Sequence, residues 1–580
     1  MQIDFPDLDF DISAEALEFP DLDFDLPEAV EVEDERFIET RPIYTLDAET
    51  PPFEYEKMIR PFAWGLFDGA DFRYTWGPDA TARIEEKILQ LPPGIIYMHN
   101  GGKFDIYFLI RLILGNKAFI VNRRIVRAYV ELPGGGHHEI RDSYAIMPFP
   151  LRDFDKDEID YEKFREKVRE QHKEEILKYL EKDCVSLHRL CAAFIERFGT
   201  GLTIGGVAMK RLRAIHPFEC LGPYADDDIR QHFYYGGRVQ FFERGVLSGP
   251  WKVFDVNSMY PSVMKNAMHP MEMPGAEGTK VRADTCFITA EGKNYGAFPQ
   301  RTKHDGLRFD IEDGTFHVTR HEWDTALDLG LFEPRKIIRC VNYRNRGTLA
   351  GFVDTYYSLR KQAKDSGDPF GTIFYKYILN SAYGKFAQNP EKYMEWKLDT
   401  LDSPEPDRGK RKENRWEEGV ISQEREFEFK IWMRPSPDRT RFNIATGASI
   451  TGAARAVLLR AIANAERPIY CDTDSIICRD LSGDGITIDS SVLGAWKEEH
   501  SEIDWAYIAN RKLYALMKDP KIHGFEGPEE LCKSAAKGVK LGPHQIKDVC
   551  EGKTVIYRRD APTFRLDGSV QFIQRHVKLI

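Results

Sequence analysis

Tyr470-Cys-Asp-Thr-Asp-Ser475 follows an alanine-rich, helix-like run and precedes the apolar pair Ile476-Ile477, so it reads as a tight turn between two short strands. Two acids at such a turn, Asp472 and Asp474, point toward one place. Close carboxylates repel unless a divalent cation neutralises them, and an all-oxygen set suits magnesium. Standing alone, the segment also reads as an ordinary Asp-rich turn capping its own backbone. Further upstream, Val253-Phe-Asp-Val-Asn-Ser-Met-Tyr-Pro261 puts Asp255 at the end of a strand-like run that Pro261 stops from continuing as a central ladder. A chain reversal there leaves Asp255 and Tyr260 lining a pocket; the plain alternative is a helix N-cap by Asp255 or Ser258. Between the two lies Lys376-Tyr-Ile-Leu-Asn-Ser-Ala-Tyr-Gly-Lys385, a helical run in which Lys376, Asn380, Tyr383 and Gly384 share one face. A cation, an amide, a ring and a glycine suit a phosphate, a base edge and a close backbone approach, although a solvated amphipathic helix has the same spacing.

The chain has 580 residues, 42% hydrophobic and 30% charged, a length that implies about four domains. No stretch reaches the roughly 20 apolar residues of a membrane span. The start, MQIDFPDLDF, has neither the basic nor the apolar region of a secretory signal. Nine cysteines without a CxxC pair argue against a disulfide framework and a structural zinc site. The expectation is a reduced, cytoplasmic protein that is not secreted and has no membrane partner.

Net charge is −12, but residues 1–36 hold fourteen acids and one base, Arg36, so the rest of the chain carries +1. A near-neutral body leaves room for a basic cleft that takes an anionic polymer. The acidic segment contains a near-repeat, with Asp4-Phe-Pro-Asp-Leu-Asp-Phe-Asp11 recurring as Glu18-Phe-Pro-Asp-Leu-Asp-Phe-Asp25. Its charge and prolines predict disorder; a solvated leader, a docking arm for a partner and an acidic mimic of DNA all fit. After it come strand-like runs at Ile43–Leu46, Phe62–Phe67, Ile95–Met98 and Ile125–Leu132, the last followed by a Pro133–Gly136 turn and a returning strand. Glu158–Phe198, rich in Glu, Lys, Leu and Ala, predicts one or two long helices. A second α/β region begins near residue 201, with polar, proline-bearing stretches near 266–280 and 401–440.

The three segments at 255–261, 376–384 and 470–475, in that order, resemble the three polymerase motifs of family B DNA polymerases; their joint occurrence is far more specific than any one. The resemblance extends upstream. Asp47 and Glu49, two apart on a strand, face the same way. His99-Asn-Gly-Gly-Lys-Phe-Asp105 supplies Asp105 with Asn100 and Phe104 beside it, and Tyr179 and Asp183 stand one helical turn apart. These are similar to the three motifs of the family's 3'-5' proofreading exonuclease and imply four converging acids. Tyr234-Tyr-Gly-Gly237 resembles the YxGG linker motif, Thr451-Gly-Ala-Ala-Arg455 the Tx2AR primer-template contact, and Lys512-Leu-Tyr514 the KxY motif. Together they resemble the protein-primed subgroup, the phage, adenovirus and linear-plasmid type, and above all its small Bacillus-phage member. Departures are Ser143-Tyr144 where Ser-Leu is usual and a longer second insertion carrying the basic run 408–412, which put strand displacement and processivity in question. Lys163 stands near the place of the exonuclease lysine, with Lys156 and Lys167 as competitors.

The resemblance implies an α/β multidomain fold, an RNase H-like 3'-5' exonuclease domain followed by a right-hand palm, fingers and thumb. The expected divisions are the acidic tail 1–36, exonuclease 37–200, palm 201–265, a first terminal-protein region at 266–350, fingers 351–390, a second such region at 391–440, palm 441–535 and thumb 536–580. In the polymerase site Asp255, Val256, Asp472 and Asp474 would hold two magnesium ions, replaceable by manganese. Tyr260, Lys364, Lys376, Asn380 and Tyr383 would bind the deoxynucleotide, with Tyr260 excluding a ribose 2'-hydroxyl. Asp47, Glu49, Asp105 and Asp183 would hold the exonuclease metals, with Tyr179 positioning the attacking water. Tyr234, Gly236, Gly237, Thr451, Arg455, Lys512 and Tyr514 would bind primer-template DNA, and Asn100, Phe104 and Ser143 the single strand. Implied partners are DNA, dNTPs, a terminal protein that primes through a hydroxyl, and a replication partner such as a single-stranded-DNA-binding protein on the acidic tail; the enzyme itself would be a monomer. The alternatives are a family B enzyme that uses ordinary primers or none, and a non-catalytic DNA-binding scaffold.

Overall fold

The computed structural model describes residues 41–580 apart from 54–58, 114, 122–123, 152–157, 219–226, 273–276, 303–305, 389–393, 401–416, 425–426, 436–442, 540, 559–562, 565–569, 572–573 and 579–580. The acidic segment with its near-repeat, Lys156 and the run 408–412 lie outside the described residues.

The amino-terminal sheet grows from strand Ile43–Glu49, whose apolar Tyr44 and Leu46 face one core while Thr45, Asp47 and Glu49 face the other way, as the two-residue period of a strand requires. Ile95–Met98 and His137–Asp142 continue the sheet in parallel, and Ala63–Phe67 and Phe72–Trp76 extend its other side antiparallel. Three parallel strands beside an antiparallel pair form the expected RNase H-like core. The four strand-like runs all form strands, and the Pro133–Gly136 turn closes with Leu132 N–H donating to the Gly136 carbonyl. Helix Lys173–Phe198 covers the acid-bearing face of the first strand, where the Thr45 hydroxyl donates to the Cys184 carbonyl at 2.7 Å. The close approach depends on Gly65, opposite Asp47 in register, since a Cβ there would lie 2.8 Å from Leu180 and 3.0 Å from Cys184.

The expected helix over Glu158–Phe198 is correct only from Lys173. Tyr161–Phe164 and Arg169–His172 are single 3-10 turns. Asp160 caps the first by accepting from Glu162 N–H, and Arg165 then adopts an extended conformation that breaks the hydrogen-bond ladder. The interruption seats Phe164 against Phe62 and Tyr179.

The second sheet has seven antiparallel strands in the order Glu530–Ala536, Leu513–Lys518, Trp496–Asn510, Gly245–Val256, Ser475–Cys478, Tyr470–Asp472 and Val239–Phe241. Trp251, Val253, Tyr470 and Ile477 fill one face, while Phe254, Val256, Cys471 and Ile476 pack into the large core on the other. That core is roofed by helix Ile444–Asn464, whose alanines and glycines let neighbours approach closely. Helices Ala350–Asp365 and Pro369–Phe386 form an antiparallel pair beside the sheet, the second capped by Asp368 and started by Pro369. Asp368 also pairs with Arg197 at 2.9 Å, and Phe374 packs edge-on against Phe194, so this pair leans on the amino-terminal helix.

Within 266–350, strands Glu277–Gly278, Thr285–Asn294, Asp313–Thr319 and Phe332–Asn342 form a four-stranded sheet with helix Arg320–Asp328. Within 391–440, strands Met394–Thr400, Glu417–Glu424 and Phe427–Pro435 do not stand apart. Met394–Thr400 pairs with Lys117–Val121 and extends the amino-terminal sheet to ten strands. No helix among the described residues is long and apolar enough to cross a membrane.

Candidate active sites

Asp255 leaves strand Gly245–Val256 one residue before its end, paired in register with Ser475 on one side and Lys497 on the other. Asp472 ends strand Tyr470–Asp472, and Asp474 is the second residue of the two-residue turn, Thr473-Asp474, that joins it to Ser475–Cys478, as read from the sequence. The Asp474 carbonyl accepts from Val256 N–H at 2.8 Å, which fixes the turn to the end of the Asp255 strand. Burial, then repulsion from Asp474 and Glu499, pushes Asp255 up to about 7. Burial, then repulsion from Asp472, pushes Asp474 up to about 6. Asp472 is instead held by Lys512, whose Nζ lies 3.2 Å from Oδ2, while Lys512 N–H donates to the Tyr470 hydroxyl. Buried carboxylates that repel each other at neutral pH, offering only oxygen donors, fit a hard divalent cation.

Ser258, in the left-handed region, precedes helix Met259–Asn266 and turns Tyr260 over the site, where its ring stacks on Tyr383 with centroids 3.7 Å apart. Burial and the neighbouring Tyr383 raise the Tyr260 hydroxyl well above its usual range. Lys376, Asn380, Tyr383 and Gly384 do share the outer face of Pro369–Phe386, opposite the buried Phe374, Ile378 and Ala382. Burial and the charge of Arg360 lower Lys376. Arg360, from the facing helix, is thus the cation nearest in effect to Lys376, whereas Lys364 is exposed toward the far end of its helix. The sequence reading missed Arg360, although it lies one helical turn before Lys364. It also missed Lys533 and Glu499, which pair at 2.5 Å across the intervening strand Leu513–Lys518 and belong to no motif.

The DNA-contact residues divide. Asn100 is exposed and Phe104 half-buried, the latter edge-on to the exposed Phe53. Lys512 and Tyr514 stand beside Asp472, with the Tyr514 ring against Tyr470. Gly237 presses on the acidic turn: a Cβ there would lie 2.4 Å from Thr473 Oγ1, whereas Gly236 faces open space and Tyr234 is half-buried. Three others do not reach the surface. Ser143 is fully buried, donating to the Met98 carbonyl and sharing a hydrogen bond with His99 Nδ1 at 3.0 Å. Thr451 donates to the Ala448 carbonyl, and Arg455, 3% exposed, is enclosed by Glu322 and the carbonyls of Tyr235 and Gly236. Ser143, Thr451 and Arg455 thus spend their polar atoms on internal bonds; a spacing motif carries no information on which side of its element faces the core.

In the amino-terminal domain Asp47, Glu49 and Asp183 each offer an oxygen within 4.8 Å of the others. Asp105 is outside this group. It is buried where helix Asp105–Phe108 begins, against the Gly101 turn, so three of the four expected acids cluster. Tyr179, one turn before Asp183, is raised by burial and by the Asp183 charge. Its hydroxyl meets that of Tyr161 at 3.3 Å, a partner the sequence reading missed inside its presumed helix. Lys163 pairs with Glu175 at 2.5 Å and Lys167 is exposed.

A model of the family DNA polymerase type B, organellar and viral, matches residues 154–477. The DNA-directed DNA polymerase of Enterobacteria phage PRD1 is 44% identical over 561 residues, covering 92% of this chain and 98% of that one. The DNA polymerase of Bacillus phage phi29 is 26% identical over 426 residues, covering 63% of this chain and 64% of that one. A phi29 DNA polymerase structure superimposes with a TM-score of 0.69 at 19% identity, covering 93% of this chain and 100% of that one. Its complex with primer-template DNA and incoming nucleotide gives a TM-score of 0.70 at 19% identity over the same shares of the two chains. The fold is that of an exonuclease-type domain followed by a right-handed palm, fingers and thumb. The chain belongs to the type B DNA polymerases of organelles and viruses and is a DNA-directed DNA polymerase.

Proposed function

We propose that the chain replicates a viral or linear-plasmid genome with two separate activities, deoxynucleotide addition at Asp255, Asp472 and Asp474, and 3'-5' proofreading at Asp47, Glu49, Asp105 and Asp183. The observation that carries this reading is the pair of distinct acidic clusters on separate sheets of one chain, one with raised carboxylates beside stacked Tyr260 and Tyr383, the other within 4.8 Å. The divisions proposed above, from the acidic tail to the thumb, follow the family order; the second insertion is read as adding to the exonuclease sheet.

In synthesis, magnesium, two ions per site, supplies activation of the attacking hydroxyl and charge neutralisation on the triphosphate when bound. Asp255 and Asp474, with the Val256 carbonyl, hold that charge, and Lys512 keeps Asp472 turned toward the primer end. Lys376, with Arg360 beside it and Lys364 toward the tip, takes the triphosphate, and Asn380 orients it. Tyr383 stacks beneath the nascent pair, while the bulk of Tyr260 leaves no room for a ribose 2'-hydroxyl. In proofreading, Asp47, Glu49 and Asp183 hold the metal charge, Asp105 completes the set, and Tyr179, braced by Tyr161, orients the attacking water. Asn100 and Phe104 grip the frayed strand, with Ser143 setting His99 behind them. Initiation uses a hydroxyl of a separate terminal protein in place of the primer end, working with a monomeric polymerase in the host cytoplasm, and the acidic tail docks a replication partner.

The test incubates the protein, magnesium and labelled dNTPs with a primed template, beside a reaction holding the terminal protein and unprimed template. Extension together with a labelled protein adduct supports the full reading. Extension without an adduct returns the enzyme to ordinary primers, and silence in both contradicts catalysis.

A further inference from the structure

Arg455 and Glu322 lie outside both acidic clusters, yet they form the most enclosed ion pair near the polymerase site, each side chain about 2% exposed. Arg455 Nε stands 2.7 Å from Glu322 Oε1 and Nη2 3.0 Å from Oε2, the two-pronged geometry of a strong guanidinium–carboxylate pair. The remaining nitrogen, Nη1, donates to the carbonyls of Tyr235 at 2.7 Å and Gly236 at 2.9 Å. Glu322 is fixed in turn. It opens helix Arg320–Asp328 within the 266–350 insertion, and its Oε2 accepts from the N–H and the hydroxyl of Thr319.

From Gly236 the chain passes directly to the acidic turn. Gly237 abuts Thr473, and the Arg238 carbonyl accepts from Thr473 N–H at 2.7 Å. Thr473 sits between Asp472 and Asp474 with φ at +56°, a conformation a β-branched residue holds only when its surroundings impose it. We propose that Glu322 is a positioning residue for nucleotide addition: through Arg455 it fixes residues 235–238, and through them it holds the Asp472–Asp474 turn in its metal-binding shape. This rests on the reading that those acids hold the polymerase metals. It makes the 266–350 insertion a working part of the synthetic site as well as a surface, because a shift of helix Arg320–Asp328 is passed to the turn.

The full-length protein carrying Asp47→Ala and Glu49→Ala isolates the polymerase locus, where Mn2+ binding is followed by electron paramagnetic resonance. Glu322→Gln in this background should weaken Mn2+ binding about 10- to 100-fold, the range for residues that support metal ligands. It should lower kcat for primer extension more than it raises KM for dNTP, and excess Mn2+ should restore much of kcat. Exonuclease activity of Glu322→Gln with the amino-terminal acids intact should equal that of the parent. Arg455→Lys keeps the charge pair but cannot hold both carbonyls, so it should show the same metal defect and covers the case in which Glu322→Gln does not fold. Parental Mn2+ binding in either folded variant overturns the positioning role, as does a kcat loss that excess Mn2+ leaves untouched. Asp474→Ala separates the two levels: if it too binds Mn2+ normally, the metal site itself is wrongly located.

Discussion

In the amino-terminal cluster the acids come from one strand and the helix lying on it, and their oxygens sit within 4.8 Å. In the proposed polymerase site they come from a strand end and a hairpin turn, paired in the sheet through Asp255 and Ser475 and tied further by the backbone bond between Val256 and Asp474. The first geometry is set by direct contact of the two acid-bearing elements, the packing of Lys173–Phe198 on Ile43–Glu49 over Gly65. The second depends on groups outside its acid-bearing elements: Gly237 and Arg238 behind the turn, Lys512 beside it, and Arg455 with Glu322 behind those. A strand–helix site is therefore vulnerable to local overpacking, and a turn site to distant substitutions. The helix pair Ala350–Asp365 and Pro369–Phe386 joins the two, since Asp368 reaches Arg197 on the helix that also carries Asp183.

The sharpest way to break this contrast is to remove one acid from each cluster. Asp474→Ala should lower primer extension roughly 10³-fold, the equivalent of about 4 kcal/mol of lost transition-state stabilisation, while leaving degradation of single-stranded DNA unchanged. Asp183→Ala should do the reverse, and equal loss of both activities in either variant would merge the sites. Next in size, Tyr260→Val should raise ribonucleotide incorporation relative to deoxynucleotide by about 10- to 200-fold, the range for opening a pocket by a small group; steady-state kinetics with matched nucleotides measures it. Gly65→Ala and Gly237→Ala should each cost about 1–3 kcal/mol by overpacking, the first impairing exonuclease and the second synthesis. Thermal melts and paired activity assays would expose a crossed effect.

A smaller, pH-dependent difference follows from burial at the polymerase turn. Asp255 at about 7 and Asp474 at about 6 lie above the roughly 3.9 of an unfolded aspartate, so the folded, metal-free protein retains protons that the unfolded chain has lost. Their favourable contribution is complete below about pH 4 and is lost as pH rises through 7. Asp255→Asn removes the larger part, so the variant's Tm should gain on the parent's by roughly a few degrees between pH 5 and 8 in chelator. Saturating Mg2+ should narrow that gap by stabilising the parent. A gap that shrinks with rising pH in chelator would contradict the stated burial. Smallest of all, Tyr161→Phe removes the hydroxyl that braces Tyr179 and should slow exonuclease a few-fold, about 1 kcal/mol, with synthesis untouched.

Much of this arrangement was legible in the sequence because it rests on short-range rules. Two-residue spacing put Asp47 and Glu49 on one strand face, helical spacing stacked Tyr179 on Asp183, and the DTD segment could only be a tight turn between apolar strands. What was not legible is long-range. Nothing near Arg455 or Ser143 in sequence tells that Glu322 or Met98 will enclose them. Composition favoured helix over 158–172, but the seat for Phe164 on Phe62, a hundred residues away, outweighed it. The pairing of the 391–440 insertion with the amino-terminal sheet was not legible because its partner strand, Lys117–Val121, lies nearly three hundred residues upstream.

Two separate metal centres on one chain are the central claim, and anomalous diffraction from crystals grown with Mn2+, primer-template DNA and a non-hydrolysable dNTP tests it most directly. The expected result is anomalous density at two loci, one among Asp47, Glu49 and Asp183 and the other between Asp255 and Asp474. Density at a single locus, or manganese held elsewhere with both clusters empty, would contradict it.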